Sequence, residues 1–446
     1  MKTFKLSISV FVGFLCTIQW ANGQDVRSYT LEQLTDVSLK NNHVLTIKRW
    51  QIEEKKAKIK EDEIKRTPLV NLSGSYQYNF NLADITIPAG TIGVIPLSAT
   101  NQVPLPNEDK TFTVGNNNTY NAGVTVYQPL SQQAKIKTGI EVSKVDVSIT
   151  EKEKQKISLQ IKQGIEQLYF GILITQKQLE EANLKLKLAQ ARLADIENAL
   201  QTGKTIDMNK AGLMAGIADE EQGILKLNFQ ILNYKADLAQ LAGLNTTDFS
   251  VAALSPDLPE LPAITNYISE IASNPDLQVT ELTKTKTELG IKAARLSDRP
   301  DVGLIAGYMV QGGNPIMPFN NPFVGVNVKW NIQDIYSNKQ ILKQRSYQLR
   351  QAEENILNTQ QQLNYNLEKA YRKAVQSKTL INVAEKALQY RREELKLQED
   401  KQLAGMSLKT DILNTKALTA KAEADVYSAR LAYILAVSDI NALIGK

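Results

Sequence analysis

Apolar residues recur at helical spacing over two very long stretches, 131–200 and 334–402, and alternate with polar residues over four short ones. In the first long stretch Ile161, Ile165, Leu168 and Ile172 fall at 4-3-4 spacing, and Leu363, Leu367, Ala370 and Ala374 keep that spacing in the second. Such a stripe predicts amphipathic helices with coiled-coil character. Neither stretch contains a proline. At 1.5 Å per residue, a helix over 131–200 makes a rod of about 105 Å, too long for the core of a globular domain.

The stretches 69–80, 119–129, 301–311 and 322–331 alternate instead. Val70, Leu72, Gly74, Tyr76 and Tyr78 face one way, and Asn71, Ser73, Ser75, Gln77 and Asn79 the other. Likewise Val324, Val326, Val328 and Trp330 oppose Phe323, Gly325, Asn327 and Lys329. A strand of about ten residues with one apolar face fits a transmembrane barrel, and also a half-buried soluble sheet. The shared membrane-spanning length and the flanking rods favour the barrel.

The chain is written twice. Pro68, Val70, Leu72 and Tyr76 map onto Pro300, Val302, Leu304 and Tyr308 with a constant shift of 232, as does Asn42 onto Asn274. Further along the shift is 202: Gly123, Val124 and Val126 map onto Gly325, Val326 and Val328, Gly203 onto Gly405, and Leu241 and Gly243 onto Leu443 and Gly445. The difference, 232 − 202 = 30, is one insertion between Tyr76 and Gly123, and the tract 81–118, with Pro88, Pro96, Pro104, Pro106 and Asn116-Asn117-Asn118, is expected as a solvated loop. Each half predicts the same series. The first repeat, 24–243, has helix 31–66, strands 69–80 and 119–129, and helices 131–200 and 209–242. A linker, 244–262, leads to the second repeat, 263–446, with helix 263–298, strands 301–311 and 322–331, and helices 334–402 and 411–445. The two shorter helices of each repeat sum to the length of its rod, so they are expected to stack end to end beside it.

Four strands cannot close a barrel, since the smallest have eight. An open edge in lipid leaves backbone groups unpaired at several kcal/mol each. Strands in a membrane therefore require two, three or four chains, giving 8, 12 or 16 strands.

Composition narrows the address. Lys2 and Lys5, an apolar run from Leu6 to Cys16, and Ala21-Asn22-Gly23 read as a secretory signal over 1–23. Cys16, the only cysteine, is expected to leave with it. Lipid attachment there is disfavoured by the large Leu15 before it. No later segment has eighteen consecutive apolar residues, so any span is made of strands. Charge is balanced, 52 Lys+Arg against 47 Asp+Glu, with no basic block for nucleic acid.

Little reads as catalytic. His43 is the only histidine, and its repeat mate lies at a proline, so a structural or solvated role is expected. No Cys or His cluster offers a metal site, and no cofactor is predicted. Gly203-Lys204-Thr205 resembles the end of a phosphate-binding loop, but Asn198 stands where the earlier glycine is required and a helix precedes it. Glu180-Glu181 and Glu393-Glu394 are expected to be solvated helix faces.

Over nearly all of the mature sequence the chain resembles the TolC-like outer-membrane efflux family. The residues that carry the likeness are the doubled Pro-x-Val-x-Leu at 68–72 and 300–304 and the strand-to-rod passage 124–130. To these add the tip segments 203–209 and 405–413 and the endings Leu241-Ala242-Gly243 and Leu443-Ile444-Gly445. The resemblance implies a mainly α fold with a transmembrane β-barrel: a homotrimer sharing twelve strands and a periplasmic α-helical coiled-coil barrel, with 244–262 in a belt around the rods. It implies a passive conduit from the periplasm of a Gram-negative bacterium through its outer membrane, and partners in a periplasmic adaptor and an inner-membrane pump. Carried over by position, Asp411, with Asn414, Asn209 and Asp207 nearby, marks a periplasmic gate. The turns at Gly203, Lys204 and Thr205 and at Gly405, Met406 and Ser407 mark the adaptor's docking loops. Helix capping is the competing role for Asp411 and Asn209. The alternative class, a soluble periplasmic coiled-coil scaffold or adaptor, would need a lipoyl-like half-motif and a β-barrel domain, and neither is found.

Overall fold

A computed structural model describes residues 27–98, 101–201, 207–253 and 257–446. The expected leader, 1–23, lies outside them. In chain order the elements are β1 (Ser28–Tyr29), α1 (Leu31–Asn41), α2 (His43–Ile64), β2 (Leu69–Tyr78), β3 (Ala83–Ile87), β4 (Gly93–Pro96), β5 (Gln102–Leu105), β6 (Lys110–Val114) and β7 (Asn118–Pro129). They continue with α3 (Gln133–Gln201), α4 (Asp207–Ala242), β8 (Ser250–Val251), α5 (Ile264–Glu270), α6 (Pro275–Ala294), β9 (Asp301–Gly312), β10 (Asn320–Lys329), α7 (Ile332–Leu403) and α8 (Lys409–Leu443). The two rods are continuous helices of 69 and 72 residues.

The chain forms two compact units. One is built from Met1–Asn42, Ile161–Pro259 and Gln376–Leu435. Its core includes Leu34, Ile165, Phe170, Ile172, Leu238 and Tyr433. The Tyr169 hydroxyl donates to the Ala252 carbonyl (2.7 Å), and the Tyr433 hydroxyl donates to that of Pro259 (2.6 Å). The two phenols thereby hold the linker against the helices. β1 and β8 pair in parallel, and the buried Phe249 ring meets Tyr29 edge-on.

The other unit comprises His43–Gln160, Glu260–Val375 and Ala436–Lys446. Its four-stranded antiparallel sheet has the order β10-β9-β7-β2. The register repeats: Leu72 opposite Val124 corresponds, under the two shifts, to Leu304 opposite Val326, and Val70 opposite Val126 to Val302 opposite Val328. Next to the sheet, α3 is flanked by ion pairs from two helices. Lys48 of α2 reaches Glu153 (2.7 Å), while Lys286 and Lys292 of α6 reach Asp146 (2.6 Å) and Glu141 (3.0 Å).

Three expectations change. The helix expected over 31–66 is two helices that break at Asn42, where ψ is 123°. The Asn42 amide donates to the Leu241 carbonyl (3.2 Å), where Ser38 Oγ also donates (2.7 Å). The helix expected over 263–298 breaks likewise at Asn274, whose amide donates to the Leu443 carbonyl (3.0 Å). The mapped pairs Asn42/Leu241 and Asn274/Leu443 thus make the same bond in both repeats. Gly243 and Gly445, both at positive φ, close against Asn41 and Ser273, residues that also map with the shift of 232. The third change is the insertion, expected as a solvated loop over 81–118. It is a two-stage hairpin, β3 paired with β6 and β4 with β5. Alternating Asp84-Ile85-Thr86-Ile87 and Lys110-Thr111-Phe112-Thr113-Val114 supply the β-branched pattern that favours it.

Candidate functional site

The first candidate is the sheet itself. Its register places Leu72, Val124 and Tyr308 side by side on one face, followed by Val70, Val126, Ala306 and Val324. This face is open: Leu72 is 82% and Val324 83% exposed. The opposite face carries Asn71, Ser73, Ser75 and Gln77 on β2, and Thr119, Asn121 and Thr125 on β7. A bare apolar face of that size is what lipid, or another apolar surface, would cover. Among the described residues both outer strands, β2 and β10, lack a partner on one side, a row of backbone groups ready to pair with another strand.

The second candidate is the turn between α7 and α8. Gly405 has φ +73°, its N–H donates to the Gln402 carbonyl (2.9 Å), and the Met406 N–H donates to that of Lys401 (2.9 Å). This pair of bonds is a Schellman cap, and its left-handed residue favours glycine. Ser407 Oγ donates to Gln398 Oε1 (3.0 Å), tying the turn back to the rod. Leu403, Met406 and Leu408 stand bare around the turn, at 89, 76 and 67% exposure. Sequence reasoning missed the two leucines, although apolar side chains at a turn where polar ones are expected are the signal that would have found them.

At the start of α8 the Asp411 carboxylate accepts from the Leu408 N–H (3.3 Å). It satisfies one of the helix's orphan donors from inside the first turn, where an anion also meets the positive end of the helix dipole. Asp411 thus contributes to the cap from the third helical position, not as the residue that opens the helix. Asp411 and Asn414 lie three residues apart and are both exposed, so they project from one helix face. Asp207 and Asn209 lie in the first turn of α4. Gly203, Lys204 and Thr205 lie outside the described residues. Just above the turns, Lys210–Glu197 (2.9 Å) ties α4 to α3, and Lys416–Glu399 (3.2 Å) ties α8 to α7. Exposed pairs of this kind contribute at most about 1 kcal/mol each.

The paired carboxylates serve as helix-surface partners. Glu180 and Glu181 bind Lys177 and Lys185, and Glu394 binds Arg391. The hydrogen bond that the Lys177 ammonium donates to Glu180 holds it above its usual pKa, with Glu423 adding to the effect. His43 is exposed at the start of α2. Among the described residues no group of His, Cys, Asp and Glu could hold a metal ion, and no helix is long and apolar enough to cross a membrane.

The fold is that of outer-membrane channels. Over 93% of this chain and 85% of the other, it superposes on the CmeC outer membrane channel of Campylobacter jejuni with a TM-score of 0.72 at 14% identity. For the outer membrane protein VceC of Vibrio cholerae the figures are 93% and 96%, 0.69 and 14%. For CusC, described as forming a transmembrane channel, they are 94% and 92%, 0.70 and 15%. No curated protein matches the sequence. Residues 267–446, most of the second repeat, match the model of the outer membrane efflux protein family.

Proposed function

We propose that the chain is the outer-membrane channel of a tripartite efflux or type I export system, a passive duct assembled from three copies. The carrying observation is the four-stranded sheet with an apolar face and two edges unpaired among the described residues, in a chain whose residues 267–446 match the outer membrane efflux protein family. With an even number of alternating strands, β10 of one copy meets β2 of the next antiparallel, so the ladder continues across copies and closes as a ring. The helices beside those edges support this. α2, which leads into β2, leaves Val44, Ile47 and Trp50 bare; α7, which follows β10, leaves Tyr336, Tyr347 and Leu357 bare. The TolC-like resemblance supports three as the number of copies.

The helices line the periplasmic duct. Val383, Tyr390 and Leu397 of α7 recur at heptad spacing and stand bare, as do Leu225, Phe229 and Leu232 of α4. These stripes are seams for further helices. At the mouth, Asp411 and Asn414 form a ring narrowed by three mutually repelling carboxylates, with Asp207 and Asn209 beside them. The adaptor docks on the turns at Gly203, Lys204 and Thr205 and at Gly405, Met406 and Ser407. Bare Leu403, Met406 and Leu408 supply its apolar contact and drive opening. The inner-membrane pump selects the cargo.

Fractionation followed by planar-bilayer recording tests the reading. Detergent-extracted outer-membrane protein that forms discrete channels is expected. Protein that stays in the soluble periplasmic fraction and conducts nothing would restore the scaffold or adaptor alternative.

A further inference from the structure

The insertion after β2 has no task in the duct described so far, and no counterpart in the second repeat. There the β9–β10 connection is only the short segment 313–319. In the first repeat the chain continues as an arm. The Asn79 N–H donates to the Asn117 carbonyl (2.7 Å), and the Asn117 amide donates back to that of Asn79 (2.8 Å), which clasps the arm's base to β2 and β7. β3–β6 adds five paired positions and β4–β5 four more.

We infer that the arms of neighbouring copies meet over the outer mouth and narrow it, the tip of each taking a second copy of this chain as its partner. This rests on the closed twelve-stranded barrel proposed above. Reach comes first. Nine paired positions at about 3.3 Å each give an arm of roughly 30 Å. Twelve strands about 4.8 Å apart and tilted by about 40° close at a radius of roughly 12 Å. The arm is more than long enough to reach the axis from the rim.

Charge comes second. Residues 86–107 contain no Asp, Glu, Lys or Arg. The charged groups of the insertion lie on the inner ladder or at its junction with the outer one, short of the tip, and are engaged there. Asp84 accepts from Thr113 Oγ1 (2.7 Å), Asp109 from the Ala89 N–H (2.8 Å), and Lys110 pairs with Glu108 (2.7 Å). Tips without charge can converge on one axis with no repulsion to overcome. A tip seated on an anionic lipid surface would instead present cations, and the only one in the insertion is Lys110, which lies at the outer end of the inner ladder and pairs with Glu108.

Exposure comes third. Ile92, Val94, Ile95 and Leu97 are all bare at the tip. A cluster of that kind marks a contact surface.

The mature chain is expected to lack cysteine, since Cys16 is the only one and lies in the leader. Ile95→Cys then gives each copy a single thiol at the tip. Native mass first establishes that the purified particle holds three copies. Oxidation with copper-phenanthroline is then expected to link arms in pairs on a denaturing gel, to lower bilayer conductance, and to be reversed by dithiothreitol. Removing 88–106 is expected to raise conductance at least twofold. Ser98→Cys, polar and exposed, is read the same way if Ile95→Cys fails to assemble. A particle of three copies with no linked pairs overturns the contact, and wild-type conductance after the deletion overturns the narrowing. A wild type that is not three copies overturns the barrel reading itself, and this inference with it.

Discussion

Replacing Asn274 by alanine tests the joint that both repeats share. Asn274 is 5% exposed, and its side chain makes three hydrogen bonds. Oδ1 accepts from the N–H groups of Asp276 (2.8 Å) and Leu277 (3.2 Å), capping α6, and Nδ2 donates to the Leu443 carbonyl (3.0 Å). Loss of an N-cap costs about 1 kcal/mol. Loss of a buried hydrogen bond costs about 1 kcal/mol, and more when its partner is left unsatisfied. Asn274→Ala should therefore destabilise by about 2–3 kcal/mol, or roughly 4–12 °C in Tm at about 2–4 °C per kcal/mol for a cooperative unit of about 150–250 residues. The assay is thermal unfolding in detergent at fixed protein concentration, since assembly couples to stability. Asn274→Asp separates the two roles. It keeps the capping oxygen but turns a carboxylate toward the Leu443 carbonyl, so it should also lose stability. An alanine variant within 1 °C of wild type refutes the joint as a stabilising element. An aspartate variant equal to wild type refutes the interhelix bond alone.

Gly405→Ala should cost about 1–2 kcal/mol from its left-handed backbone alone, because nothing lies within 4 Å of the added methyl; unfolding in detergent reads it, and no loss of stability would remove the cap from the account. Asp411→Ala should reduce block of the channel by divalent cations in bilayer recordings, and unchanged block would take Asp411 out of the gate. Burial raises the pKa of Asp439 on α8, and Lys373 at 4.0 Å offsets this only in part. The folded state then holds the proton more tightly than the unfolded state, so stability falls as pH rises from the unfolded pKa through the folded one. Asp439→Asn should melt higher than wild type at pH 7 and match it at pH 3; a lower Tm at pH 7 would show that the ion pair wins.

The rods, the strands and their doubling were legible because each is a periodic signal sustained over many residues. The alternation of Val70, Leu72 and Tyr76 reappears as the open sheet face, and the shifts of 232 and 202 reappear as equivalent strand registers. The helix break at Asn42 was not legible. Asparagine is only a mild helix breaker, and the bond that fixes it comes from Leu241, some two hundred residues away. Its mate Asn274 precedes Pro275 and could have supplied the hint, since a residue before proline is driven out of the helical region. The insertion misled for a related reason: its prolines and asparagines speak for loop, while its two short ladders depend on pairing across as many as 31 residues, Ala83 with Val114. At the tips, the glycine cap was legible from the mapped position of Gly405. The apolar rim of Leu403 and Leu408 was not, because a helical pattern does not say where solvent begins.

The number of copies in the detergent-extracted particle tests the central claim most directly. Native mass spectrometry should find three, carrying twelve strands in one closed wall and conducting in a bilayer. A water-soluble monomer would contradict it, because a lone copy leaves β2 and β10 unpaired and the apolar sheet face bare.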